Sequence, residues 1–158
     1  MKILFVGDVC GRPGRAAFTK YTKKLREEKA IDIVVVNGEN SAGGKGISRK
    51  SLDALYHAGA DIVTSGNHIW DNKDVLGFIE QEPFLIRPAN YPEGAPGKGW
   101  CIYPFRAKNI GVINLSGRAF MPDMDCPFQK IEDVLHELHG KCDIILLDFH
   151  AETTSEKM

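Results

Sequence analysis

The chain alternates short, continuous apolar runs with longer stretches of helical pattern. Residues 2–7 and 31–37 (Ile-Asp-Ile-Val-Val-Val-Asn in the second case) are β-branched-rich runs of strand length, the pattern of strands buried on both faces. Between them, 15–29 has helical propensity and closes in a turn rich in lysine and glutamate. A second helix is expected over 48–58, with Ser48 as N-cap and Gly59 just past its end. Ala60–Ser65 follows as a third strand and 73–81 as a third helix. This regular alternation of strand and helix is what an α/β arrangement with parallel strands requires.

From about residue 84 the pattern changes. The stretch between Pro83 and Gly99 is rich in proline and glycine and is expected to be irregular. Trp100–Phe105 and Ile110–Leu115 are two apolar runs separated by Arg106-Ala107-Lys108-Asn109, which predicts an antiparallel hairpin. A helix at about 127–139 leads to another buried strand, Asp143–Leu147. Ser155-Glu156-Lys157-Met158 has the composition of a helix start with no helix after it. With no repeat or linker in evidence, residues 1–158 are expected to form a single α/β domain with mixed sheet pairing.

Four of the strand-like runs end in polar clusters: Gly7-Asp8, Asn37-Gly38-Glu39-Asn40, Gly66-Asn67-His68 and Asp148-Phe149-His150. In a parallel sheet the carboxyl ends of the strands share one edge, and the loops leaving that edge build the ligand site. One such residue means little, because Asp and Asn start turns everywhere. Four strands delivering Asp, Glu, Asn and two His to one edge point to a shared site.

Oxygen and imidazole donors with no thiolate suit Mn, Fe, Mg or Zn. A carboxylate such as Glu39 can bridge two cations, and paired metals about 3.5–4 Å apart are common in phosphate-ester hydrolases, where they activate water and clamp phosphoryl oxygens. His68, beside Asn67, can instead protonate a leaving group, a role worth ~10²–10⁴-fold. Asp71 is a candidate to orient it. His57, His136 and His139 lie on predicted helices without polar partners and are expected to be structural. The two glycine-rich stretches, Gly7–Gly14 and Gly43–Ser48, fit neither the dinucleotide fingerprint nor the P-loop and are expected to be tight turns.

Composition narrows the class. The chain is 43% hydrophobic and 26% charged, which excludes disorder, and its 20 basic and 21 acidic residues give no support to a broad nucleic-acid or membrane-surface patch. The four cysteines, Cys10, Cys101, Cys126 and Cys142, stand singly, so neither a zinc module nor a disulfide scaffold is expected. With no signal-peptide pattern and no apolar run near a membrane span, a cytoplasmic protein without membrane partners is expected.

Taken together, Gly-Asp-Val-x-Gly, Asn-Gly-Glu-Asn, Gly-Asn-His-x-Trp-Asp and Asp-Phe-His-Ala-Glu-x-Thr-Ser-Glu-Lys, in this order from Asp8 to Lys157, resemble the YmdB-like branch of the calcineurin-like metallophosphoesterases. The resemblance implies an α/β sandwich and hydrolysis of phosphodiesters such as 2',3'-cyclic nucleotides at a dinuclear site through a metal-activated hydroxide, with Fe or Mn foremost and Mg or Zn as alternatives. It implies that Asp8 binds one metal, Glu39 bridges both, and Asn67 and His150 bind the second. It assigns His68 to the leaving group and places Asn40 near the metals or the phosphate.

Cys10 stands where generic members of the superfamily carry histidine; in the YmdB-like branch that position is not histidine, so the departure supports the branch assignment. The family also continues beyond the length of this chain with a Gly-x-His-x-His block that supplies one histidine to each metal. The chain therefore has the character of an N-terminal portion, and weak metal binding, low activity and self-association into a homo-oligomer through uncovered sheet surface are expected. Cyclic nucleotides, RNA ends and other phosphodiesters remain open as substrates, and Arg12, Arg118 and Trp70 are further candidates for substrate contact. The alternative is a non-catalytic, nucleotide- or RNA-responsive regulatory module. A dinucleotide-binding oxidoreductase would leave Asn67, His68 and His150 without a purpose.

Overall fold

The computed structural model describes all 158 residues. In chain order they form β1 (Ile3–Val6), α1 (Gly11–Lys29), β2 (Ile33–Asn37), α2 (Arg49–His57), β3 (Ile62–Thr64), β4 (Trp100–Phe105), β5 (Lys108–Ser116), α3 (Pro127–Leu138), β6 (Ile144–His150) and a final turn of helix, α4 (Thr154–Lys157). Strands β1-β2-β3 make a parallel sheet. In the second sheet, β4-β5-β6, the first pair is antiparallel and the second parallel. The α/β class is as expected, with the mixed pairing confined to the second sheet.

Strand periodicity explains how the layers stack. Successive side chains point to opposite faces. On β2, Val34 and Val36 join Phe18, Leu52, Leu55 and Val63 in a core beneath α1 and α2. The alternate residues Ile33 and Val35 join Ile62, Ile110 and Val112 in a second core between the sheets, flanked by Ile144 and Leu146. On β5 the other face, Ile113 and Leu115, packs under Val134 and Leu138 of α3. The result is a helix–sheet–sheet–helix sandwich. The central strand β2 is buried along its whole length, as its unbroken apolar run predicted.

The boundaries differ from expectation in four places. Helix α1 begins at Gly11 rather than residue 15, because the missing N–H of Pro13 costs nothing in a first turn whose N–H groups have no helical partners. The expected helix over 73–81 is instead two short 3₁₀ segments, Lys73–Gly77 and Ile79–Gln81, interrupted at Phe78. Gly77, at the break between them, is a poor helix former.

The β4–β5 hairpin closes through two residues, Arg106 and Ala107, because Lys108 pairs with Phe105 and Arg106 adopts a left-handed conformation. Strand β6 runs on to His150, since its ladder with β5 continues through Asn114 opposite Asp148 and Ser116 opposite His150. Asp148-Phe149-His150 is therefore strand, not loop. The expected N-cap at Ser48 is realised as a capping box with Ser51.

Edge strands β1 and β6 carry exposed apolar side chains, Phe5 on the first and Ile145 and Leu147 on the second. No helix is long and apolar enough to cross a membrane.

Candidate functional site

The candidate metal ligands Asp8, Glu39, Asn67 and His150, with Asn40, lie where strands of both sheets end together. Backbone bonds first tie the loops to one another: Val9 N–H donates to the Asn37 carbonyl (2.9 Å) and Gly11 N–H to the Asn40 carbonyl (2.8 Å). This brings the loop carrying Asp8 onto the loop carrying Glu39. The Asn40 amide then spans the two carboxylates. Its Nδ2 donates to Asp8 Oδ2 at 2.9 Å, Asp8 Oδ1 at 3.1 Å and Glu39 Oε1 at 3.1 Å.

Glu39 is only 1% exposed. Its Oε2 accepts from the His68 backbone N–H (3.1 Å), and its own N–H donates to Asn37 Oδ1 (3.1 Å). From the other sheet, His150 Nε2 lies 3.0 Å from Glu39 Oε1 and 3.0 Å from Asn67 Oδ1. Burial alone would lower the His150 pKa. The hydrogen bond and charge of Glu39, together with the charges of Asp148 and Asp8, outweigh that and raise it.

The His68 imidazole, unlike its backbone N–H, takes no part in this convergence. Its Nδ1 is 2.9 Å from Asp71 Oδ2, three residues on, so the partnership expected between them is present. The turn that carries Asn67 and His68 is held from beneath by Tyr91, whose hydroxyl donates to the Asn67 carbonyl (3.2 Å). Burial, then the charges of Glu39 and Asp71, push the Tyr91 phenol up to about 12, so it stays a donor. Trp70 packs edge-on against Tyr91, with centroids 5.7 Å apart, and is a packing residue of this turn. Arg12 and Arg118 are exposed at the surface.

Gly66 explains how the side chains come so close. A Cβ there would lie 2.3 Å from Glu39 Oε2 and 2.4 Å from His150 Cδ2, so only a glycine leaves the space they occupy. The Gly43–Gly46 stretch is a turn, as expected, with positive φ at Gly43, Gly44 and Gly46.

Four supporting residues were given no role from the sequence, although two of them, Asn37 and Asp148, open polar clusters noted there: Asn37, Thr64, Asp148 and Tyr91. Asp148 carries the clearest signal, a carboxylate closing an apolar strand run. Its Oδ2 accepts from Thr64 Oγ1, and from Asn37 Nδ2 at 3.4 Å. Burial raises its pKa against the opposing pull of those two bonds.

The donor set suits a hard or borderline cation. No group of three or more His, Cys, Asp or Glu side chains stands ready-made as a ligand cluster. The convergence instead relies on two asparagines, with Asp8 joined to the rest through Asn40. The Asn40 Oδ1 atom is buried without a partner. An apolar groove of about 310 Å³ between β1 and α1 meets this region only at Asp8, apart from the other polar donors.

A profile of the YmdB-like proteins matches residues 4–158. The chain belongs to the YmdB-like family. Within or near that family, the 2',3'-cyclic-nucleotide 2'-phosphodiesterase of Bacillus subtilis (strain 168) is 46% identical over 158 residues, which are 100% of this chain and 60% of that protein. A crystal structure of a hypothetical protein from Thermus thermophilus superposes with a TM-score of 0.92 at 40% identity, over 100% of this chain and 61% of that one. A phosphatase structure from Mycoplasma pneumoniae gives a TM-score of 0.92 at 34% identity, over 99% of this chain and 57% of that one. This YmdB-like chain thus spans about three-fifths of the length of the relatives it matches, and it shares their α/β fold.

Proposed function

We propose that this chain supplies the greater part of the active site of a metal-dependent phosphodiesterase acting on small nucleotide substrates, 2',3'-cyclic nucleotides foremost. The observation that carries the reading is the meeting of Glu39, Asn67 and His150, from three strands in two sheets, within hydrogen-bond distance around one point. The name of the Bacillus subtilis relative supplies the substrate class.

Two divalent cations, Mn or Fe foremost, fit the residues present. Buried Glu39 has two carboxylate oxygens facing different partners, which suits a bridging ligand. Asp8 serves one side of it, and Asn67 and His150 serve the other. The unpartnered Oδ1 of Asn40 is a further oxygen donor beside the two carboxylates. Such cations would activate a water and neutralise the phosphoryl oxygens.

The chain's own residues do the rest. Asp71 accepts from His68 Nδ1, which fixes the ring and leaves Nε2 to give a proton to the departing oxygen. The Asn40 side chain, rooted between both carboxylates, holds Asp8 and Glu39 at one separation. Tyr91 fixes the turn from which Asn67 and His68 diverge.

The test is Mn²⁺ titration by calorimetry with parallel hydrolysis of a 2',3'-cyclic nucleotide, using the chain and its Glu39→Gln variant. The reading expects Mn²⁺ binding, metal-dependent hydrolysis, and loss of both in the variant, because a neutral amide bridges cations poorly. Nucleotide binding with no Mn²⁺ uptake and no hydrolysis would overturn it in favour of a non-catalytic module.

A further inference from the structure

The core between the two sheets ends in a tier of polar side chains directly beneath the site. Along each contributing strand the inward-facing positions read apolar and then polar: Ile33, Val35, Asn37 on β2; Ile62, Thr64 on β3; Ile110, Val112, Asn114 on β5; and Ile144, Leu146, Asp148 on β6. Strand register sets these polar residues level, with Asn37 opposite Thr64 in one sheet and Asn114 opposite Asp148 in the other. Asn37, Thr64 and Asn114 are at most 3% exposed. Polar groups are buried at a cost unless they are paired, and these four are paired across the gap between the sheets.

The pairing is specific. The Asp148 carboxylate on β6 accepts from Thr64 Oγ1 at the end of β3 and from Asn37 Nδ2 at the end of β2. Asn114 on β5 accepts from the Ser65 backbone N–H at 3.2 Å, and its amide donates to the Asp148 carbonyl at 3.3 Å. One step beyond, each strand delivers a site residue. Asn37 caps the Glu39 N–H, Thr64 precedes the turn that holds Asn67, and His150 lies two residues past Asp148 on the same face. Leu or Val at these positions would continue the core, yet would leave the sheets free to shift by the tenths of an ångström that separate a donor from a ligand.

We propose that Asp148 is a positioning residue for the candidate metal centre: from β6 it grips Thr64 and Asn37 of the opposite sheet and so fixes the gap across which His150 faces Glu39 and Asn67. The proposal rests on the metal-centre reading above. Groups that orient metal ligands from behind typically change affinity 10–100-fold when removed.

The test compares wild type with Thr64→Val, which removes one of the two cross-sheet donors to Asp148 but leaves every charge in place, and with Asp148→Ala. Two measurements are made on each: the Mn²⁺ dissociation constant by calorimetry, and the His150 imidazole resonances by ¹⁵N NMR without metal. The expected result is a loss of Mn²⁺ affinity of about 10-fold or more in Thr64→Val, greater in Asp148→Ala, with His150 resonances displaced or doubled in both. Should Asp148→Ala fail to fold, Thr64→Val decides. Wild-type affinity and unmoved His150 resonances in a folded Thr64→Val protein would overturn the proposal. If the wild type itself takes up no Mn²⁺, the metal reading fails on its own, and the His150 resonances still decide whether Asp148 positions the ring.

Discussion

Replacing Gly66 by alanine adds one methyl group at the point where the two sheets present their site residues to each other. The added Cβ would stand 2.3 Å from Glu39 Oε2, 2.4 Å from His150 Cδ2 and 2.6 Å from His150 Nε2. Ordinary carbon contacts lie at about 3.5–4.0 Å, so both side chains must retreat by about 1 Å. Gly66 is not among the glycines with positive φ, so the backbone accepts alanine and the perturbation is steric alone.

Overpacking of this kind costs about 1–3 kcal/mol. At about 2–4 °C per kcal/mol for a chain of this size, the melting temperature should fall by about 2–12 °C. The protein stays folded, but the 3.0 Å contacts from His150 to Glu39 and Asn67 cannot survive the displacement. Thermal melting by circular dichroism gives the first quantity, and Mn²⁺ titration calorimetry the second. Gly77→Ala is the control, since a Cβ there meets nothing within 4 Å. If Gly66→Ala keeps Mn²⁺ affinity within about twofold of that control, the reasoning from close approach is refuted.

Three further outcomes follow from contacts elsewhere. At the opposite end of the sheets, Asp61 accepts from Arg26 Nη2 (2.9 Å), the Val34 N–H (2.8 Å) and Tyr103 OH (3.1 Å). Asp61→Ala strands these donors and should cost about 2–3 kcal/mol in chemical denaturation, whereas a loss below about 0.5 kcal/mol would contradict the account. Asp71→Asn should lower turnover of a 2',3'-cyclic nucleotide about 10-fold or more while leaving Mn²⁺ affinity unchanged, because within the site Asp71 touches only His68. A parallel loss of metal would make Asp71 part of the metal centre instead. The Glu156 carboxylate caps the Arg118 and Ala119 backbone N–H groups, and the Arg118 bond is the main cause of its depressed pKa. A depressed carboxyl pKa stabilises above the unfolded value and stops doing so as pH falls through the folded one. The protection factors of those two amides, taken against the intrinsic exchange rate at each pH, should therefore fall only below the ordinary glutamate value of 4.5. Protection that fades above that value would refute the cap.

The sequence by itself pointed to the alternation of strand and helix, the Ser48 cap and the candidate site residues. Short β-branched runs such as Ile33–Val36 read as strands buried on both faces, and polar residues that follow such runs are expected at or near a strand end. For that reason Asp8, Glu39, Asn67, His68 and His150 could be put forward as candidates from local pattern, with Asp71 as a candidate to orient His68 and Asn40 added by the family resemblance. Which strands share a sheet was not legible in the sequence. A strand's partner is chosen by burial across many residues, so the division into a parallel sheet and a mixed one, with His150 arriving from the second, appears only in the folded chain. The division of the helix expected over 73–81 into two 3₁₀ segments, beside the poor helix former Gly77, likewise appears only in the folded chain.

Distance along the chain hid the supporting contacts as well. Thr64 and Asp148 are 84 residues apart, and neither is marked by a motif that calls for the other. Only the stacking of two sheets, with their inward positions level, makes an ordinary threonine and a strand-end aspartate into a brace beneath the site.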